Sequence, residues 1–223
     1  MNIPCRNKPR GNPLKSREQG SALIEFTLCC GFFLLPLLLG VLLVGQNLLR
    51  AMEVTQVCRD AAHMFASGAD LSQTSYKNLV VNLAPALGMS TTSASSHGVV
   101  ILSEIARIDD TCAGTVIPMK PKCGNAGYYV VVRRIVIGNS GMQASVLGTP
   151  SSALIEPATG NVTQNGYLSD SSTQASTSGV SFAPPIDLPT TQHAYVAEMY
   201  VTSPTATGWS TAGPPSVSAK FIF

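Results

Sequence analysis

The stretch that decides the fold runs from Gly20 to Gly68 and reads "GSALIEFTLCCGFFLLPLLLGVLLVGQNLLRAMEVTQVCRDAAHMFASG". Within it, the 23 residues from Ala22 to Val44 are apolar or small except for Glu25 and Thr27. As a helix they span roughly 34 Å at about 1.5 Å per residue, which is enough to cross the hydrocarbon core of a bilayer. The sequence therefore predicts one membrane-spanning helix with a carboxylate near its beginning.

Charge is distributed unevenly around this apolar run. Residues 1–20 contain five basic residues and one acidic residue, Glu18. The chain from Arg50 onward contains nine basic and ten acidic residues. By the positive-inside rule, residues 1–20 stay in the cytoplasm and the C-terminal head lies outside it, in the periplasm or beyond. A cleavable secretory signal normally has a shorter apolar core and an A-x-A-like site after it, which "VGQNLLRAME" lacks. Because the head has no basic excess, we expect no nucleic-acid partner.

The helical pattern continues beyond the membrane run. One apolar stripe at helical spacing comprises Ala51, Val54, Cys58, Ala61 and Phe65. Gly68 predicts the end of a single helix of about 45 residues, and Pro36 predicts a kink or local unwinding in its membrane half. A second helix is predicted after a cap at Asp70 or Ser72, ending before Pro85, with an inward face of Tyr76, Leu79, Val80 and Leu83.

After these helices, the spacing of apolar residues changes from the 3.6-residue period of a helix to the 2-residue period of a strand. Four segments have the alternation or β-branched content of strands: "GVVILSEIARIDD" (98–110), "GYYVVVRRIVIGN" (127–139), "HAYVAEMYVTS" (193–203) and "SVSAKFIF" (216–223), the last as an edge strand. We expect an α+β, pilin-like fold in which the amphipathic half of the long helix packs on an antiparallel sheet of three to four strands. The expected organisation is a basic leader (1–20), a transmembrane half (21–49), a helical region with linker (50–95) and a β-rich head (96–223).

About fifty residues rich in Ser, Thr, Gly, Asn and Pro, from Ser140 to Thr191, separate the second and third predicted strands. A structureless loop of that length is unusual in a compact domain. It is either a surface excursion that contacts something or a mobile loop, and the tract "LSDSSTQASTSG" (168–179) has the composition of disorder.

Three of the six cysteines, Cys58, Cys112 and Cys123, follow the membrane run. In an oxidising compartment, Cys112 and Cys123 are predicted to form a disulfide that closes the loop "CAGTVIPMKPKC". Cys58 is then the odd thiol, either buried against the sheet or available for a crosslink to another chain.

Catalytic patterns are absent from the sequence. It contains no H-E-x-x-H, G-x-S-x-G or Walker motif, and its three histidines are scattered. "GNSGMQAS" (138–145) is interpreted as a turn after a strand. We therefore predict a protein that is not an enzyme and has no cofactor or metal.

A chemical reason for Glu25 comes from the residues before it. Glycine has no Cβ, so a membrane protease that cuts between Gly20 and Ser21 would meet an uncrowded, extended backbone. The cut frees an α-amino group on Ser21, which can pair with Glu25 of a neighbouring subunit. The positive end of the helix macrodipole also favours an anion there. Such a pair would fix the axial register between packed helices.

These residues resemble a known family. Gly20, Ser21, Glu25 and Phe26 match the cleavage region of type IV prepilins. The run "REQGSALIEFTLCCGFFLLPLLLGVLLVGQ" followed by "CRDAAHMFASG" is similar to TadE-type proteins of the Tad (tight adherence) pilus machinery. The strand "AYVAEMYV" and the segment "SAKFIF" are loosely similar to the C-terminal part of that family, although the aromatic-Arg-Pro-Arg tail is missing.

The resemblance implies a minor pseudopilin held in the bacterial inner membrane by one pass and acting in pilus assembly and adhesion. Gly20 and Ser21 would be the pair cut by a prepilin peptidase, and Glu25 the packing charge. The implied partners are that peptidase, other pilins or pseudopilins, the assembly platform and the lipid bilayer. The alternative from the residues is an uncleaved single-pass envelope protein whose outer domain binds a partner or ligand.

Overall fold

The computed structural model describes residues 18–83, 85–91, 95–109, 123–177, 180–181, 188–189, 192–202 and 216–223. The chain divides into two compact units between Asn47 and Leu48. The first unit contains the beginning of the long helix, and the second contains the head.

The predicted long helix is present and has a local irregularity. Helix α1 spans Glu18–Cys29, a π-helical turn spans Cys30–Leu34, and helix α2 spans Leu35–Ala66. The N–H of Leu35 donates to the carbonyl of Cys30, five residues back. Pro36 follows directly and has no N–H to continue the regular ladder, so the wider turn absorbs the break. The unwinding expected at Pro36 is therefore confirmed as a π turn.

Helix α2 ends where the sequence predicts it. Gly68 has a φ of +86°, a left-handed conformation that side chains disfavour. The predicted stripe is also confirmed in the head unit, since its members beyond Ala51 are buried together with two neighbours: Val54, Val57, Cys58, Ala61, Ala62 and Phe65.

The second helix, α3 (Thr74–Asn82), differs from its prediction in its cap and face. Neither expected residue caps it, because the N-cap position is Gln73 and has no side-chain cap bond. Asp70 instead accepts bonds within the preceding turn and from the guanidinium of Arg133. Val80 is the buried residue of this helix, whereas Tyr76, Leu79 and Leu83 are exposed. The apolar spacing therefore predicted a wider buried face than the helix has, because only Val80 of the four predicted residues is buried.

All four predicted strands are present in one antiparallel sheet. In chain order the strands are β1 (Gly98–Arg107), β2 (Tyr129–Gly138), two short strands β3 (Ser176–Thr177) and β4 (Val180–Ser181), β5 (His193–Thr202) and β6 (Ser216–Ile222). The four-stranded sheet has the order β2-β1-β5-β6, so β2 and β6 are its outer strands. The short strands pair with each other, and a short helix, α4 (Gln164–Ser169), lies between β2 and β3.

One face of the sheet packs on the head half of α2, as the sequence predicts. Val100, Leu102, Ile135 and Met199 form a single core with the buried residues of the helix. The helix supplies the apolar cover that a four-stranded sheet needs for independent stability. The α+β arrangement is therefore confirmed.

The opposite face of the sheet is buried by residues 139–177, here called the covering segment. Leu147 and Ala175 from this segment pack with Ile105, Val131 and Val196 of the sheet. The disorder expected for "LSDSSTQASTSG" is therefore wrong for its described residues, which include the end of α4, a 3-10 turn at Ser171–Thr173 and β3. A polar segment is ordered because hydrogen bonds to the sheet and a few apolar anchors replace a continuous apolar pattern.

Candidate processing and packing site

The first unit presents an apolar helical surface without protein cover. Ser21–Ala66 is long and apolar enough to span a membrane, and the most hydrophobic window of this helix has 0% of its residues buried. Its large side chains are exposed, among them Phe26, Phe32, Phe33 and Leu37. An apolar surface of this kind favours contact with lipid or with other apolar helices.

Gly20 and Ser21 lie in the first turn of α1, since that helix begins at Glu18. The structure thus differs from the extended backbone expected at the Gly20–Ser21 bond. The first four N–H groups of a helix have no intrahelical acceptor, so this turn is held by fewer bonds than any later one. Glycine is also a weak helix former. Exposing the bond to a protease therefore requires this first described turn of α1 to unwind.

Glu25 lies one turn after Ser21 on the same side of α1. The Ser21 hydroxyl donates to Oε1 of Glu25 at 3.4 Å, and both residues are exposed. Side chains four residues apart on a helix are neighbours, so this geometry follows from the sequence spacing. One long hydrogen bond from a neutral hydroxyl leaves most of the carboxylate's accepting capacity unused, so the carboxylate can accept from a stronger donor.

The cysteines have separate environments in the described part of the chain. Cys123 is disulfide-bonded and packs beside Ile108, Val130 and Leu168. Cys112 lies outside the described residues, so the Cys112–Cys123 pairing stays a prediction.

Cys58 is a buried free thiol, which decides between the two alternatives left open for it. Its S–H lies 3.6 Å from the carbonyl oxygen of Ala197 and 3.5 Å from that of Ala219. Burial, with a smaller contribution from the charge of Glu198, raises the pKa of Cys58 to about 12. The thiol is therefore a packing residue beneath the sheet, and it cannot reach another chain.

Two buried charges hold the covering segment on the sheet, and the sequence pattern did not reveal their role. Glu198 of β5 is fully buried and accepts from the Ser145 hydroxyl at 2.5 Å and from the Val146 N–H at 3.2 Å. Arg134 of β2 donates from Nη1 to the carbonyl of Gly148 and from Nε to the hydroxyl of Ser103 at 3.2 Å. Its Nη2 has no hydrogen-bond partner among the residues that the structure describes. Burial lowers the pKa of Arg134 to about 10, although the carboxylate of Glu198 opposes that shift.

A second anchor of the covering segment is Asn125, next to the disulfide-bonded Cys123. It is fully buried, and its amide nitrogen lies 2.9 Å from the carbonyl oxygens of Tyr167 and Asp170. Its amide oxygen accepts from the Gln174 side chain at 2.9 Å. A single asparagine in a turn has no distinctive sequence signal, so these contacts could be found only from the structure.

The head therefore contains buried polar groups with structural roles. Within the described ranges, no three His, Cys, Asp or Glu side chains converge in a way that could hold a metal ion. Comparisons with protein-family models, curated proteins and solved structures found no match.

Proposed function

We propose that this chain is a membrane-anchored minor pseudopilin that a prepilin peptidase processes between Gly20 and Ser21. In this proposal it acts in the assembly of a Tad or type IV-like pilus and in adhesion. Residues 1–20 lie in the cytoplasm, the helix crosses the bacterial inner membrane once, and the head lies outside. The observation that carries the proposal is a carboxylate, Glu25, one helical turn after a Gly-Ser pair in an otherwise apolar and uncovered helix.

The proposed mechanism begins with the cut at the frayed first turn of α1. Hydrolysis of the Gly20–Ser21 peptide bond releases the basic leader and leaves an α-ammonium on Ser21. An α-ammonium is a charged donor, so its hydrogen bond to a carboxylate adds the attraction of opposite charges, which a hydroxyl donor does not supply. Glu25 then exchanges its long contact with the Ser21 hydroxyl for an ammonium of an adjacent subunit.

Pairing across subunits explains why a carboxylate is present in this part of the helix. An isolated charge at the bilayer centre costs about 2.5 kcal/mol or more, whereas a paired charge sets the axial register between neighbouring helices. The exposed apolar side chains of the same helix then pack against lipid and other subunits. The head, which the sheet and covering segment make rigid, is presented outside.

Mass spectrometry of the protein purified from membranes tests the processing step. A mature chain that begins at Ser21 supports the proposal. An intact leader in cells with an active prepilin peptidase would overturn it and favour an uncleaved envelope protein. Gly20→Phe should block maturation, while the matched change Gly31→Phe in the same helix should not, because nothing lies within 4 Å of a Cβ at Gly31.

The packing role of Glu25 has a separate test. Glu25→Ala should leave cleavage intact and reduce the yield of surface fibres, as measured by electron microscopy and quantified by shearing. Thr27→Ala is the control, since the Thr27 hydroxyl is already satisfied by the Ile24 carbonyl at 2.9 Å. A normal fibre yield from the Glu25→Ala strain would rule out the pairing role.

A further inference from the structure

Three side chains with unused hydrogen-bonding capacity share the sheet face beneath the covering segment. Arg134 of β2 lies directly opposite Ser103 of β1, which in turn lies opposite Val196 of β5. Glu198 is two residues further along β5 and is therefore on the same face as Val196. Ser103 and Glu198 are fully buried, and Arg134 is only 6% exposed. The polar atoms of all three side chains therefore need partners inside the head.

The guanidinium of Arg134 has one nitrogen without an acceptor. Its Nε donates to the Ser103 hydroxyl oxygen at 3.2 Å, and its Nη1 donates to the carbonyl of Gly148. Nη2 has no acceptor among the described residues. In a planar guanidinium, Nη2 shares one edge with the Nε N–H, so Nη2 points to the same side as Ser103. That side is the direction of β5, because β1 lies between β2 and β5 in the sheet.

Ser103 also has an unused donor. Its oxygen accepts from Arg134, but its O–H proton has no acceptor in the part of the chain that the structure describes. A hydroxyl both donates and accepts, and a buried polar group is normally satisfied. The unused donors of Ser103 and Arg134 are therefore neighbours on one face of the sheet.

Glu198 has acceptor capacity for these donors, but it lies at a distance from them. Its carboxylate accepts from the Ser145 hydroxyl and the Val146 N–H, and an ionised carboxylate has about four lone-pair sites, so capacity remains. The strand register separates the Cα atoms of Arg134 and Glu198 by two strand spacings and two residues, which is about 12 Å. Within the described ranges the two side chains form no direct ion pair. A small bridging molecule would satisfy both sides.

We propose that one water molecule is bound between Arg134, Ser103 and Glu198. It accepts from Nη2 of Arg134 and from the hydroxyl of Ser103, and it donates to the carboxylate of Glu198. Three hydrogen bonds are typical of a buried water. The ligand must be neutral and must both donate and accept, because the carboxylate disfavours an anion and the guanidinium disfavours a cation.

The bound water would join two separate attachments of the covering segment. Glu198 holds Ser145 and Val146, and Arg134 holds Gly148. With the water in place, these contacts form one continuous hydrogen-bond network across β2, β1 and β5. The inference concerns the head alone, so it stands or falls independently of the processing between Gly20 and Ser21.

A crystal structure of the full-length protein in detergent, at a resolution that shows ordered water, tests the site. We expect a density peak about 2.7–3.2 Å from Nη2 of Arg134, from Oγ of Ser103 and from one carboxylate oxygen of Glu198. No peak, or a direct contact of Nη2 with Glu198 or with a carbonyl, would overturn the proposal. An anomalous peak at this position in bromide-soaked crystals would identify an anion and would also overturn it. The double variant Arg134→Met, Glu198→Leu should lose the peak, because it removes a donor and the acceptor.

Water-to-protein magnetisation transfer in the same detergent gives an independent test in solution. The Arg134 Nε–H should have a nuclear Overhauser effect from water of the sign that marks a long-lived bound molecule. The side-chain N–H₂ of the fully buried Asn125 is the control and should have none, since the carbonyls of Tyr167 and Asp170 already satisfy it. In Ser103→Ala the effect at Arg134 should persist. Its loss in that variant, with the Val146 amide shift unchanged, would assign the signal to the exchanging hydroxyl and overturn the bound water.

Discussion

Removing the buried carboxylate of Glu198 should destabilise the head strongly. The Glu198 side chain is 0% exposed and holds the covering segment through Ser145 and Val146. Glu198→Ala leaves that hydroxyl and that N–H without their acceptor. It also removes the negative charge that opposes the lowering of the Arg134 pKa.

The magnitude follows from these losses. A hydrogen bond to a charged group contributes about 1.5–3 kcal/mol, and Glu198 accepts two such bonds inside the head. The losses share the same groups and do not add, so we expect the free energy of unfolding to fall by about 3–5 kcal/mol. Glu104→Ala is the matched control on strand β1. Glu104 pairs with the partly exposed His193 at 2.7 Å, and its loss should cost under about 1 kcal/mol.

Urea unfolding of the full-length protein in detergent, followed by circular dichroism, measures both variants. A double-mutant cycle adds the decisive comparison. Arg134→Met combined with Glu198→Leu should be less destabilising than the sum of the single changes by at least about 1 kcal/mol, because the double change removes both of the buried charges that influence each other. If the two changes add within about 0.5 kcal/mol, or Glu198→Ala costs no more than Glu104→Ala, the two charges do not act together on the covering segment.

Three further predictions concern the head. Gly160→Ala should lower the free energy of unfolding by about 2–4 kcal/mol, because Gly160 has a φ of +74° and an added Cβ would meet the carbonyl oxygen of Arg134. Gly141→Ala, where the nearest atom lies 3.5 Å away, should change it by less than about 0.5 kcal/mol in the same urea titration. Cys58 should resist iodoacetamide at pH 8 in the folded protein and react after unfolding, as read by peptide mass spectrometry. Because burial raises the pKa of Cys58 from its ordinary value of 9.0 to about 12, the stability that the neutral buried thiol contributes is complete below pH 9 and is lost as the pH rises towards 12. A peptide map without reductant should contain a Cys112–Cys123 link, and its absence would refute that pairing.

Much of the architecture could be predicted from local patterns. The long helix was predicted with its end at Gly68, because apolar spacing and a C-terminal glycine are local signals. The four long strands were predicted because alternation and β-branched content are properties of consecutive residues. The Gly20, Ser21 and Glu25 site was also visible in the sequence, since side chains one helical turn apart must be neighbours.

The contacts of the second sheet face could not be predicted in this way. Ser140–Thr191 has the composition of a loop, yet its described part up to Thr177 is ordered on the sheet. Arg134 and Glu198 occupy ordinary strand positions, and nothing in their neighbours along the chain indicates that both become buried. Their burial depends on hydrogen-bond partners that are distant in sequence, such as Ser145, which lies 53 residues from Glu198.

The amino-acid sequence by itself determined the apolar helix, the carboxylate near its beginning and the positions of the four long strands along the chain. These features depend on the spacing of neighbouring side chains. The sequence also predicted that the last strand lies at an edge of the sheet, and only the tertiary structure decided that the covering segment lies along β2 and which polar groups enter the core. A polar segment becomes ordered only when distant strands supply its acceptors and donors, and that pairing exists only after the sheet has formed.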